Sequence, residues 1–345
     1  MKYNFLPNTD VKVSKICLGT MTFGQQNSEA EGHAQMDYAF EKGVNFFDTA
    51  EMYSIPSREE TYGSTERIIG TWFKKTGKRE EIVLASKIAG PNPNFGYMRD
   101  QLDFSPASIK YALDNSLQRL QTDYLDVYQL HWPERKNNCF GQRGFKVQED
   151  GWEDNIHQVL ETLDGFVKEG KIKHVGLSNE TPWGIMRFLE ESKYHNLPRI
   201  KTVQNPYSLL NRLFEVGSSE VCMRENVGLL AYSPLAFGVL SGKFLTGESH
   251  PNARLSLFPQ YSRYSSEQCT QATILYNEIA KKNGLTLTEL SLVFLEQQAF
   301  VTSTIIGATT LEQLKENIAT INVSLSEEII AEINKVQAII PDPAP

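Results

Sequence analysis

Apolar runs of four to seven residues, rich in Val, Ile and Leu, alternate along the chain with amphipathic stretches of helical length. Such alternation predicts a parallel sheet whose strands are joined by crossover helices. Strands are expected at 15–18, 45–48, 82–87, 124–130, 172–177, 202–205, 228–232 and 303–306. Helices are expected at 29–42, 65–75, 106–120, 155–169, 182–193, 216–226, 271–283 and 311–321, with a last one at 326–339. Gly43, Gly170, Gly228 and Gly284 stand where helix C-terminal glycines belong. Eight strands, each followed by a helix, fit an α/β fold of the TIM type, a closed (β/α)8 barrel, better than an open doubly wound sheet. Ahead of the first strand, residues 3–13 alternate around Asn8-Thr9-Asp10 as a β-hairpin would, in a position to cap the barrel floor. Three stretches, 88–105, 133–154 and 241–266, exceed ordinary loop length. Each follows a strand's C-terminal end, the face on which a barrel builds its active site. Barrels of this kind tolerate long insertions, so the chain is expected to form a single domain over 1–345.

Composition narrows the classes of function. With 40% hydrophobic and 22% charged residues, the chain has the usage of a folded globular protein rather than a disordered one. A net charge of -8 and the lack of a long Lys/Arg run argue against a nucleic-acid partner. No apolar run approaches the roughly 20 residues of a membrane helix. The first thirty residues also lack a basic segment leading into an apolar one. A cytoplasmic address without membrane contact is therefore expected. Cys17, Cys139, Cys222 and Cys269 are far apart and form no CxxC or Cys/His zinc spacing, so no structural metal is expected.

The polar residues closing the expected strands are Asp48, Lys87, His131, Ser178-Asn179, Gln204-Asn205, Tyr232-Ser233 and Gly307-Ala308-Thr309. On a barrel they form one ring at the C-terminal face. Singly, each has an ordinary reading. Asp48 could be a helix N-cap, Lys87 a snorkelling strand-end lysine, His131 a hydrogen-bonded core histidine and Tyr53 a loop aromatic. Of the six histidines only His131 falls on the ring, which disfavours a metal-dependent barrel hydrolase or isomerase.

Eight ordered fragments then carry a resemblance. They are Gly19-Thr20-Met21, GVNFFDTAEMY (43–53), LASK (84–87), LHWP (130–133), GLSN (176–179), QNPYSLL (204–210), YSPLAFGVLSGK (232–243) and GATTLEQLKEN (307–317). Together they resemble the aldo-keto reductases over nearly the whole chain, and LLNR (209–212) with the long loops is most similar to the bacterial Tas-type branch. The resemblance implies an NADP(H)-dependent oxidoreductase that reduces the carbonyl of a small aldehyde or ketone, with Asp48, Tyr53, Lys87 and His131 as its catalytic residues. Residue chemistry supports the same roles. Carbonyl reduction needs a hydride donor at carbon and an acid at oxygen, and a tyrosine with a free pKa near 10 needs help from its neighbours. Lys87, paired with Asp48, is expected to favour the Tyr53 phenolate and lower its pKa, while His131 orients the carbonyl oxygen.

No G-x-G-x-x-G follows the first strand, so a Rossmann fingerprint does not supply the cofactor site. Barrels commonly bind phosphate after strands seven and eight, which points to 233–243 and 307–317. The resemblance implies that Ser178, Asn179 and Gln204 hold the nicotinamide carboxamide and that Tyr232 stacks on its ring. Gly19, Thr20, Met21, Ser233, Pro234 and Gly307 belong to the same matching motifs. Leu235, Gly238 and Lys243 are implied at the pyrophosphate, and Thr309, Gln313, Glu316 and Asn317 at the adenosine end. Preference for NADPH over NADH needs a cation for the 2′-phosphate; Arg254 is the first choice and Arg263 the second. The chain departs from the family pattern in an added stretch at 54–61 and in long loops after Lys87 and His131, and Trp132 stands as either rim packing or pocket wall. The resemblance extends to potassium-channel β subunits, which leaves a nicotinamide-binding regulatory or redox-sensing subunit as the alternative.

Overall fold

The computed structural model describes residues 1–345 except Cys139 and Gln148. The chain opens with an antiparallel hairpin, β1 (Tyr3–Phe5) and β2 (Lys12–Ser14), turned at Asn8 with φ of 55°. Eight strands then follow: β3 (Ile16–Gly19), β4 (Phe46–Asp48), β5 (Val83–Ile88), β6 (Leu125–Leu130), β7 (Ile172–Ser178), β8 (Thr202–Pro206), β9 (Gly228–Tyr232) and β10 (Val301–Ile306). They pair in parallel in chain order, and β10 returns to β3 to close the barrel. All eight expected strands are present, and the hairpin lies at the floor. There Leu6 and Val13 join the inner core, and the Asn4 amide donates to the Thr302 carbonyl at 2.9 Å.

Helices α1 (Glu29–Glu41), α2 (Ser64–Thr76), α3 (Pro106–Leu120), α4 (Ile156–Lys168), α5 (Pro182–His195) and α6 (Ser218–Glu225) surround the barrel. So do the short α7 (Arg254–Leu257), α8 (Glu267–Lys282), α9 (Leu287–Glu296), α10 (Leu311–Ala319) and α11 (Glu327–Ile339). The 3.6-residue spacing shows in α2, where Ile68, Ile69, Trp72 and Phe73 are buried. Helix α8 starts four residues before the expected 271 because the Ser266 hydroxyl caps the Cys269 amide. Helix α9 was not expected. Nearly every one of its residues is buried, so it has no polar face, and its start is marked only by the Thr286/Glu289 capping box.

Gly228 does not end a helix, contrary to the sequence expectation. Asn226, left-handed at φ 50°, closes α6, while Gly228 begins β9, where a Cβ would lie 2.0 Å from the Thr302 hydroxyl. Cys17, Cys222 and Cys269 are buried free thiols. Cys139 lies outside the described residues. Among the described residues, no helix is long and apolar enough to cross a membrane.

Strand periodicity positions the functional side chains. Cys17, Phe46, Ala85, Val127, Leu230 and Ile305 form an apolar layer inside the barrel. Two residues further along the same strands stand Gly19, Asp48, Lys87, Gln129, Tyr232 and Gly307. The residues that alternate with these, among them Leu18, Phe47, Leu84, Tyr128, Ala231 and Ile306, pack outward in the larger core that includes the helices. A polar layer thus sits directly on an apolar one.

One buried acid outside this layer makes stability depend on pH. Glu296, at the end of α9, is pushed up to about 7, chiefly by burial, with the Thr320 hydroxyl opposing. A carboxyl raised on folding contributes stability that is complete below its unfolded value near 4.5 and is lost as pH rises through 7. Glu296→Gln should therefore gain up to about 3 kcal/mol over the wild type at pH 8 and nothing at pH 4.5. Thermal melts at the two pH values check this; equal gains at both would remove Glu296 as the cause.

Candidate active site

At the centre of the polar layer, Asp48 accepts three hydrogen bonds. Its Oδ2 takes one from Lys87 Nζ at 2.7 Å, and its Oδ1 takes one each from Gln204 Nε2 at 2.8 Å and Gln129 Nε2 at 3.3 Å. Lys87 is fully buried and also donates to the Thr49 carbonyl at 2.7 Å. Burial works against the Lys87 charge, but Asp48 and the Tyr53 phenol more than offset it and hold the ammonium above its ordinary pKa. Lys87 Nζ lies 4.9 Å from the centre of the Tyr53 ring. The Tyr53 and His131 rings meet edge-on with centroids 5.6 Å apart. Asp48, Tyr53, Lys87 and His131 are thus brought together.

The direction of the Tyr53 shift corrects the sequence expectation. Burial pushes the phenol above 10, and the Lys87 ammonium only partly opposes it. The phenol is therefore a protonated acid at neutral pH. His131 is driven well below 6.5, first by burial and then by Lys87, so its imidazole is neutral. Its Nδ1 is buried and has no hydrogen-bond partner among the described residues.

Above these groups opens a cavity of about 1000 Å³. Asp48, Tyr53 and His131 line it, while Lys87 lies beneath. Every residue expected at the cofactor borders this cavity. Gly19, Thr20, Met21, Ser178, Asn179, Gln204 and Tyr232 stand near the tetrad. Ser233, Pro234, Leu235, Gly238, Lys243 and Arg254 come from the loop after β9, and Gly307, Thr309, Gln313, Glu316 and Asn317 from β10 and α10. Several are pre-oriented. Tyr232 OH donates to Asn179 Oδ1 at 2.7 Å, Asn179 Nδ2 donates to the His131 carbonyl at 2.8 Å, and the Thr309 amide donates to Gln313 Oε1 at 3.0 Å.

The loop after β9 has the character of an anion cradle. Ser233, Ala236, Phe237 and Gly238 all have φ between 48° and 91°, so the loop folds tightly beside the cavity, with the Ala236 and Gly238 amides donating to the Ser233 and Leu235 carbonyls. A Cβ on Gly238 would lie 3.0 Å from Lys243 Nζ. Burial lowers the pKa of both Lys243 and Arg254, and among the described residues neither has a carboxylate partner. The Arg254 guanidinium rests 5.2 Å from the Phe237 ring centre. Arg263 also lines the cavity, against Tyr232 and Tyr264. Unpaired cations in a chain of net charge -8 fit the phosphates of a dinucleotide.

Sequence reasoning missed Gln129, whose Nε2 donates to Asp48 and whose Oε1 accepts from Gln204 Nε2; its signal is a glutamine inside an apolar strand, LDVYQL. It also missed the apolar wall on one side of the cavity. Met52, Tyr53, Ile55, Tyr62, Phe95, Tyr97, Met98 and Trp132 pack together, so the added stretch and the two long loops form one cluster. Within it Ser57 Oγ and Tyr97 OH are 2.7 Å apart, and Trp132 Nε1 donates to the Pro91 carbonyl at 3.1 Å. Trp132 therefore packs on the rim and borders the cavity at once. Beneath the wall, Arg99 Nη1 donates to Glu51 Oε1 at 2.7 Å, pinning the loop after β5 to the one after β4.

The family model described as Aldo/keto reductase family matches residues 15–338. "Protein tas" of Escherichia coli (strain K12) is 48% identical over 347 residues, covering 100% of both chains. "Uncharacterized oxidoreductase YrpG" of Bacillus subtilis (strain 168) is 33% identical, covering 97% of this chain and 96% of that one. "Aldo-keto reductase yakc [NADP(+)]" of Schizosaccharomyces pombe is 28% identical over 92% of this chain and 86% of its own. With this match and this barrel, the chain belongs to the aldo/keto reductase family.

Proposed function

We propose that this chain reduces the carbonyl group of small aldehydes or ketones with NADPH, using Tyr53 as the general acid and Lys87, Asp48 and His131 as its electrostatic support. The observation that carries the proposal is the buried Lys87–Asp48 pair beside a protonated Tyr53 and a neutral His131, all at the bottom of one cavity. The acting unit is the whole chain, 1–345, as one domain. The coarser statement follows from the family alone: the protein is an oxidoreductase of carbonyl compounds that uses a nicotinamide cofactor.

Bound cofactor would supply a hydride to the carbonyl carbon. The protein's part is to handle the oxygen. A neutral imidazole at His131 donates one N–H to that oxygen and fixes its position without competing as an acid. Tyr53 delivers its phenolic proton as negative charge develops there. The phenolate left behind is stabilised by the Lys87 ammonium, whose own charge is secured by Asp48. The apolar wall of Met52, Ile55 and Trp132 admits the substrate and excludes water.

The choice of NADPH is supported by Arg254 and Lys243, two partly buried cations that have no carboxylate partner among the described residues, and by the NADP(+) in the name of the fission-yeast relative. Arg254→Ala should weaken NADPH binding by about 10- to 100-fold and leave NADH nearly unchanged. Fluorescence titration of both cofactors checks this, and equal weakening would pass the role to Arg263. The function itself is tested by following NADPH oxidation across a panel of aldehydes and ketones. No turnover with any of them would favour a regulatory or redox-sensing subunit.

A further inference from the structure

Away from the cavity, the first turn of α4 meets the last two turns of α5 on the outer wall of the barrel. There His157 Nδ1 lies 3.1 Å from Glu191 Oε2, and His195 Nε2 lies 3.3 Å from the same oxygen. The three ligand atoms all lie within 4.8 Å of one another. We propose that His157, Glu191 and His195 form a zinc site that clamps α4 to α5, with its fourth position open to solvent.

Two imidazole nitrogens and a carboxylate oxygen form a donor set suited to a borderline divalent ion. Ligands held at roughly 2.0–2.1 Å from a tetrahedral centre stand about 3.3 Å apart. The two spacings to Glu191, 3.1 and 3.3 Å, lie close to that value, and the two histidine nitrogens are within 4.8 Å of each other.

The surroundings also have the form that metal ligands require. The other nitrogen of His157, Nε2, faces Glu161 Oε1 at 3.3 Å, so a carboxylate can take the proton of the far nitrogen and turn the Nδ1 lone pair inward. Glu191's second oxygen is held by Arg187 Nη2 at 2.5 Å, and Arg187 Nε is held in turn by Asp154 at 2.8 Å. That leaves Oε2 aimed at the two histidines. Glu191 is largely buried at 12% side-chain exposure, while His157 and His195 are half-exposed, which gives an ion a route in from solvent.

The test uses the full-length protein without a histidine tag, titrated with zinc chloride against a chromophoric chelator. One zinc per chain is expected. His157→Ala and His195→Ala should each weaken binding by more than about tenfold, and Glu161→Gln, which removes no ligand, by about tenfold. Zinc should also raise the melting temperature of the wild type and not of His195→Ala, with carbonyl reduction unchanged in both. No zinc bound by the wild type, or wild-type affinity in either histidine variant, overturns the proposal.

Discussion

Tyr53→Phe should lower kcat for carbonyl reduction by roughly 10²- to 10⁴-fold, the span that a positioned general acid contributes, while leaving cofactor affinity nearly unchanged. The substitution deletes one oxygen. The phenyl ring still fills its place against His131 and the wall around Met52 and Trp132, so the pocket keeps its shape. The pH dependence follows from the direction of the tyrosine shift. Burial raises the phenol above its ordinary value, so the acid form persists through neutral pH, and reduction in the wild type should fall only on the alkaline side. His131, held neutral by burial and Lys87, adds no titration near pH 6.5. Steady-state NADPH oxidation from pH 6 to 10 reads both features. Wild-type turnover in the phenylalanine protein would remove Tyr53 from proton delivery, and an inflection near 6.5 that vanishes in His131→Ala would show an imidazole that titrates.

Much of this arrangement is legible in the sequence, for a physical reason. Eight apolar runs separated by amphipathic stretches leave few folds in which every strand can be covered, and the polar residue ending each run then falls on a common rim. Strand alternation even orders the layers, because Phe46, Ala85 and Val127 are each followed two residues later by Asp48, Lys87 and Gln129. What failed to show depended on burial or on partners distant in sequence. Helix α9 has almost no polar face to give it a period. The sign of the Tyr53 shift is set by desolvation, which no motif encodes. Gln129 looks like an ordinary polar residue until Asp48 and Gln204 are seen on either side of it. The apolar wall of the cavity is built from 54–61 and the loops after Lys87 and His131, and their mutual packing shapes it. Glu191 and His195 are one helical turn apart and readable as a pair, whereas His157 reaches them from another helix.

Lys87→Met should abolish proton delivery and destabilise the fold together, and the two effects can be separated. Lys87 and Asp48 are both buried, and removing one partner of such a pair costs about 3–5 kcal/mol because the other charge is left uncompensated. In Lys87→Met the Asp48 carboxylate keeps only the amide donors of Gln204 and Gln129. In Asp48→Asn the Lys87 ammonium keeps the Thr49 carbonyl and loses its counter-charge. The double variant Asp48→Asn with Lys87→Met leaves neither charge of this pair buried, so it should be more stable than the sum of the single losses predicts, measured by denaturant unfolding of all four proteins. Activity should behave differently. Without the ammonium, nothing stabilises the phenolate that Tyr53 becomes, its pKa rises further, and kcat should stay at least about 100-fold down in the double variant even where stability returns. A double variant that regained both stability and turnover would make the pair a structural support only. One that regained stability alone would assign the buried lysine to the chemistry of the tyrosine above it.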